Sequence, residues 1–532
     1  MIRQNYTKYF FLILSLSLFF QVILRVESLS TSLMDLGIFS SNLSSIYDDQ
    51  WRAFSGHIQP LMFVWGVIYQ LFDPVYAPMV LVSLQFLFVL GSACWIWREY
   101  GVLPSFALLL YSPLWANVLF DFHFDHLSIP ILTAFFIFCD KKKFKLAALA
   151  AISLVLLKEP FSLQAIFCGV YFIWLTFCVK NKKYTNLLLW LSSGVIFVGL
   201  VWFYISMDMV LPYFSGVDGV QGGAYTWLGT GMLDKLYTVL FRPDIWLLDV
   251  YSNPDKLKLL LIIFGSLAFI PLLRPATLIV ALPPVLIMLL SHEDNYYSYA
   301  NHYTVGVIVP VIIAFKDGLP IALKRWRRLL IYVGSSDKLL NDTLPKLLIV
   351  AFLLVGHWAM ASSPISRLFW SDKVWSYSWQ AYIPTKRDSM IKKALLEYIP
   401  SDAEVSVSTQ NSINYGHLSS RKLYLPFPQG VVEPHPVLSW GKEEKDDLLG
   451  FIFDIGKASA KYDKKFVDYV VLDTKRPWFV IDQGCDWLNG KCTNDKIANE
   501  YLKWVEKTKN IMQVIFERDG FIILKRNNKS EL

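Results

Sequence analysis

Charge is the first thing this chain has little of. Asp, Glu, Lys and Arg make up 17% of its 532 residues, against 55% hydrophobic and 16% aromatic residues. A soluble domain carries about a quarter charged residues, so a soluble cytosolic enzyme, a disordered chain and a secreted disulfide scaffold are all excluded. Cysteine is scarce too. Of the six, Cys94, Cys139, Cys168 and Cys178 lie within or at the ends of apolar runs, where cysteine behaves as a small hydrophobe. Cys485 and Cys492 sit in a polar tail and can pair if that tail faces an oxidising compartment. There is no internal repeat and no low-complexity segment. No small-residue cleavage motif follows the first apolar run, YFFLILSLSLFFQVIL, which therefore reads as a retained signal-anchor helix.

What is present is a series of long apolar runs. A hydrocarbon core of about 30 Å needs roughly 20 apolar residues per helix. Runs near that length fall at 9–25, 77–97, 104–120, 160–179, 187–209, 257–273, 276–291 and 344–361. Shorter runs at 127–139, 145–157 and 303–315 become spans if tilted or packed against neighbours. The segment 60–72, PLMFVWGVIYQLF, reads as an interfacial or re-entrant helix. If the first run leads outward, Arg98, the KKKFK of 141–145, the KNKK of 180–183, Arg274 and the KRWRR of 324–328 all fall inside. The loops 121–126 and 292–302, which hold no Lys or Arg, fall outside. Positive short loops stay cytoplasmic, so the net charge of +7 reports orientation, and a nucleic-acid partner is not expected. The reading is a polytopic α-helical membrane protein of about eleven spans, N-terminus inside. Residues 1–361 form its transmembrane domain, with outer loops at 26–59 and 210–256. From 362 to 532 the composition turns polar, which predicts an extracytoplasmic α/β domain. In it, RDSMIKKALLEYIP reads as a helix and MQVIFE/FIILKR as a hairpin about Asp519-Gly520.

Ionisable groups near lipid are costly and mark function. Here they gather on the expected outer face: Asp35 in the first outer loop, then Arg52 and His57, then Asp121, His123, Asp125 and His126 in LFDFHFDHLSIP, then Lys158 and Glu159, and finally His302 and Tyr303 after HEDNYYSYA. The inner loops hold no histidine. An outer cavity lined with Asp, Glu and His is implied. Each member also has a plainer role. Asp35 can cap a helix, Lys158 and Glu159 can tie two helices together, and the DFHFDH groups can satisfy one another. As oxygen and nitrogen donors, Asp121, His123, Asp125 and His126 also suit a divalent cation.

The series MDLGIF, GHIQP, FDFHFDHLSIP, LLKEP, FIPLLRPATLIVALPP and NHYTVGVIVP, in that order over residues 33–315, resembles the bacterial membrane family named domain of unknown function 2079 (DUF2079). That family is grouped with the GT-C membrane glycosyltransferases. The chain departs from the family pattern at Met34, where Phe or Tyr is usual, and at Pro160, where an acid is usual. The resemblance implies a GT-C-like fold in the bacterial cytoplasmic membrane. It also implies transfer of a sugar from a polyprenyl-phosphate donor to an envelope acceptor on the outer face. Asp35 stands where the family's catalytic acid is expected, with Arg52, His57, Lys158, Glu159, His302 and Tyr303 as substrate-binding candidates. A lipid or solute transporter or flippase, and a non-catalytic envelope protein of the same fold, are the alternatives.

Overall fold

The computed structural model describes residues 2–31, 33–47, 53–54, 57–212, 222–332, 343–371, 378–400, 405–409, 423–428, 430–432, 466–475, 485–486, 491–492 and 495–527. Among them, five helices are long and apolar enough to cross a membrane: Tyr6–Glu27, Ala77–Tyr100, Phe161–Cys178, Lys182–Val210 and His302–Tyr332. The protein is a multi-pass membrane protein. The expected run 104–120 is two helices, α5 (Val102–Leu109) and α6 (Ser112–Phe120), meeting at 50°. Pro113 sits in the first turn of α6, and proline cannot continue the preceding helix because it lacks the N–H and crowds the turn before it.

The expected spans 257–273 and 276–291 are likewise broken. They appear as short pieces, Pro254–Gly265, Ile270–Leu273, Pro275–Leu278, Ile279–Ala281 and Leu282–Leu290. Four of the five begin at or beside a proline, and Ala268 and Phe269 have positive φ. The opposite happens at 303–315. That short run opens one continuous helix, Val305–Tyr332, whose first eleven residues are all buried. A helix apolar all round is a buried helix, and this one forms the centre of the bundle.

Lipid is as apolar as leucine, so helix association rests on close packing and small residues. Helices α9 (Phe161–Cys178) and α10 (Lys182–Tyr204) show how. A Cβ at Gly169 would lie 2.6 Å from Ile196, and one at Gly199 would lie 2.7 Å from Ile166 and 2.9 Å from the Ser162 carbonyl.

The C-terminal part builds a five-stranded sheet in the order β2-β1-β3-β7-β6. Its strands are β1 (Ser406–Thr409), β2 (Leu423–Pro426), β3 (Tyr469–Asp473), β6 (Gln513–Arg518) and β7 (Phe521–Lys525). β1 runs parallel to β2 and β3, and β7 is antiparallel to β3 and β6. Asp519 and Gly520, between β6 and β7, both have positive φ, as a tight hairpin turn of this kind requires. Alternation along the strands divides the core. Tyr469, Val471, Phe521 and Ile523 pack with the helix Lys386–Tyr398, while Val470, Leu472, Ile522 and Leu524 pack with Val505 of the helix Asp495–Ile511. A separate pair, β4 (Cys485–Asp486) and β5 (Lys491–Cys492), has Cys485 in register with Cys492.

Candidate active site

Asp35 sits on a π-helical turn, Leu33–Gly37, between α1 (Ile2–Glu27) and α2 (Ile38–Ser45). His123 lies on extended backbone just before the 3₁₀ turn Phe124–Leu127, and His302 opens the 3₁₀ turn that leads into Val305–Tyr332. Three distant segments thus meet. Asp35 Oδ1 is 2.9 Å from His123 Nε2, and the His123 and His302 rings stack at 3.7 Å between centroids. The donor atoms of Asp35, His123 and His302 lie within 4.8 Å of one another, so these three can hold a metal ion.

Beside them runs a chain of charges. Asp125 Oδ2 lies 3.8 Å from His302 Nε2 and 3.7 Å from Lys158 Nζ. Glu159 takes His57 Nδ1 at 2.7 Å and the Ile58 amide at 3.1 Å. Burial alone would raise the Asp125 carboxyl, but the charges of Lys158 and His123 outweigh it and hold the group below its ordinary value. Glu159 behaves alike, with His57 and Lys158 outweighing burial. Burial would lower Lys158, and Asp125 and Glu159 reverse that, so its ammonium is held above its ordinary value. Each shift has the sign expected of a buried group with an opposite charge at hand.

The four residues of DFHFDH proposed as one cation site do not converge. Asp121 turns to Arg25, 3.8 Å away. His126 presents its ring nitrogens to the carbonyls of Asn117 (2.9 Å) and His123 (3.2 Å), and burial pushes its pKa down to about 4. Asp125 faces Lys158, and only His123 reaches Asp35. The cause is local. The segment is extended to His123 and then coils into a 3₁₀ turn, so its side chains leave in different directions. Arg52 lies outside the described residues.

Residues beyond the sequence candidates complete the site. Gln85 of α4 (Ala77–Tyr100) clamps the segment, accepting from the His123 amide and donating to the Asp121 carbonyl, both at 3.0 Å. Gln164 of α9 donates to the carbonyls of Gly306 (2.6 Å) and Val280 (3.1 Å). Both are amide side chains inside apolar runs, a polarity signal that marks them without naming their partners. A small cleft opens beside Asp125 and Lys158, walled by Phe161, Pro284, Ile287, Tyr296 and Tyr303. The expected interfacial segment forms a helix, Met62–Gln70, with Met62, Trp65 and Tyr69 buried and Val64 and Val67 exposed. Elsewhere in the 292–302 loop, His292 stacks on Trp227 and pairs with Asp249 at 3.3 Å.

Comparison with solved structures finds similarity to ArnT from Cupriavidus metallidurans bound to undecaprenyl phosphate (12% identity, 98% of both chains, TM-score 0.46). The apo form of that protein is similar too (11% identity, 98% of both chains, TM-score 0.44). The Archaeoglobus fulgidus oligosaccharyltransferase in complex with Zn and sulfate matches at 13% identity over 87% of this chain and 68% of that one, with a TM-score of 0.34. No curated protein matches. The family described as "Predicted membrane protein (DUF2079)" matches residues 14–478, most of the chain, and the protein belongs to that family.

Proposed function

We propose that this protein is an inverting membrane glycosyltransferase that moves a sugar from a polyprenyl-phosphate donor to a hydroxyl of an envelope acceptor, with Asp35 as the base. The observation that carries the reading is the accessibility of one carboxylate among several. The Asp35 side chain is 14% exposed, whereas Asp121, Asp125 and Glu159 are 1%, 6% and 5% exposed and are committed to Arg25, Lys158 and His57. Asp35 is therefore the most exposed of the four carboxylates, which supports it as the acid an acceptor hydroxyl meets. In the step, the acceptor oxygen bonds to the anomeric carbon while the bond from that carbon to the phosphate oxygen breaks. The electron pair leaves with the polyprenyl phosphate, and the hydroxyl proton passes to Asp35. A positioned base contributes about 10²–10⁴-fold, and the transition state resembles an oxocarbenium ion. Lys158, at the head of the cleft, is the cation for the departing phosphate, and the apolar walls suit a lipid chain.

The charge pattern supports the same reading: with the Lys- and Arg-rich loops cytoplasmic, Asp35 and the 121–126 and 292–302 loops would face outward. The broken helices between Pro254 and Leu290 favour transport as a second reading, because discontinuous helices line many transporter sites. Lipid analysis of a deletion strain separates the two. Accumulated polyprenyl-phosphate sugar, cleared by the wild-type chain and not by an equally abundant Asp35→Asn variant, is the expected result. Clearance by Asp35→Asn overturns the catalytic role of Asp35. Transport by purified protein in liposomes without glycosyl transfer overturns the reaction.

A further inference from the structure

Among the described residues the buried polar cluster holds three carboxylates, Asp35, Asp125 and Glu159, with Lys158 and the imidazoles of His57, His123 and His302 against them. Two features leave polar atoms of this cluster unsatisfied. His302 is nine-tenths buried, yet neither ring nitrogen makes a hydrogen bond among the described residues. His123 Nε2 approaches Asp35 Oδ1 to 2.9 Å without the geometry of a hydrogen bond. A buried imidazole without a hydrogen bond is costly, and the carboxylate that pairs with His302, Asp125, stands 3.8 Å from its Nε2, too far to supply one.

We infer that Asp35, His123 and His302 bind one divalent transition-metal cation. The distances suit it. Ligands on a tetrahedral ion with bonds of about 2.0–2.1 Å stand roughly 3.3 Å apart, and the three donor atoms lie within 4.8 Å of one another. One oxygen and two imidazole nitrogens select a zinc-like ion over magnesium or calcium, which prefer all-oxygen shells. Three protein ligands leave a fourth position for substrate or water, the pattern of a reactive site. The two imidazole planes are 18° apart, so their lone pairs lie in nearly parallel planes, and binding one ion turns one ring out of the stack. The inference goes beyond the proposed reaction and does not depend on it. If both hold, one Asp35 oxygen serves the cation and the other accepts the proton.

The test is the metal content of the purified full-length protein, followed by cobalt(II) titration of chelator-stripped protein read by its d–d absorption. About one equivalent of metal is expected, removed by chelator, with tetrahedral-type cobalt bands on refilling. His302→Ala and the closer-sized His302→Gln should each weaken cobalt binding at least tenfold, while His292→Gln, at the separate Asp249 pair, leaves it unchanged. Monodisperse elution of each variant confirms folding. Absence of metal together with absence of cobalt bands, or equal binding by the His302 variants, overturns the inference. Stoichiometric metal without glycosyl transfer overturns the proposed reaction and leaves the metal site standing. Transfer without metal does the reverse.

Discussion

Lys392 Nζ lies 2.6 Å from Glu27 Oε2, joining the helix beneath the C-terminal sheet to the end of the first spanning helix. Two residues on, Leu29 enters the sheet's own core beside Ile391, Leu395 and Val407, and the Ser28 hydroxyl donates to the Ala381 carbonyl at 2.6 Å. The turn carrying Asp35 then rests against β2. The C-terminal region thus holds both sides of the segment that presents the candidate base.

Leu29→Ala should therefore cost about 2–4 kcal/mol, the range for emptying a buried leucine site. Because Leu29 is six residues from Asp35, the same variant should also lower the rate of glycosyl transfer with little change in donor KM. Thermal unfolding in detergent and steady-state kinetics check the two halves. An unchanged melting temperature would show that the contact contributes nothing.

The Lys158–Asp125 pair is buried on both sides. Removing one partner leaves the other charge uncompensated, at about 3–5 kcal/mol. Lys158→Met should destabilise strongly, and Lys158→Met combined with Asp125→Asn should regain much of the loss. If Lys158 is the cation for the departing phosphate, as proposed, transfer should stay low in both. A double-mutant cycle on thermal stability, with activity measured in parallel, separates packing from charge.

Glu159 titrates below its ordinary value in the folded chain. For an acid depressed on folding, the unfolded state binds the proton more readily as pH drops. Its stabilising contribution is therefore present above the ordinary carboxylate pKa and is lost as pH falls through the folded value. Glu159→Gln should be less stable than wild type at pH 7, with the gap narrowing toward pH 4. Melting temperatures across that range test this; a constant gap would assign the loss to packing.

Two glycines of α10 should respond in opposite ways. Gly199→Ala places a methyl 2.9 Å from the Ser162 carbonyl and 2.7 Å from Ile166, a cost of about 1–3 kcal/mol for forced repacking. Gly194→Ala meets nothing within 4 Å and should leave stability unchanged or raise it, since alanine is the better helix former. Equal melting temperatures for the two variants would contradict the packing of α9 on α10.

Sidedness is open to labelling. In intact cells, a membrane-impermeant maleimide should reach a cysteine placed by Asn295→Cys and miss one placed by Lys142→Cys until lysis, against a background with the native cysteines replaced. The opposite pattern would put the Asp35 cluster on the cytoplasmic side and remove access to an outer-face acceptor.

Much of this was legible in the residues. The helix of Lys386–Tyr398 with its Thr385–Asp388 capping box, the hairpin at Asp519-Gly520 and the apolar helices all follow from local signals that act over a few residues. Local signals also misled. The run 257–291 is apolar enough for two spans, but its prolines cut it into pieces. The run 303–315 seemed short because Lys316 and Asp317 interrupt its hydropathy, although Lys316 is satisfied by Asp140 at 2.9 Å and the helix continues.

Composition and charge by themselves determined that the chain is a multi-pass membrane protein whose acids and histidines collect between apolar runs, because burial in lipid tolerates few charges and any side chain obeys that rule wherever it sits. They could not select partners. Asp35, His123 and His302 are far apart along the chain, and His126, three residues from His123, turns away to main-chain carbonyls. Which donors meet depends on how the π turn, the 3₁₀ turn and the central helix are stacked, and that is decided by side-chain packing over the whole bundle.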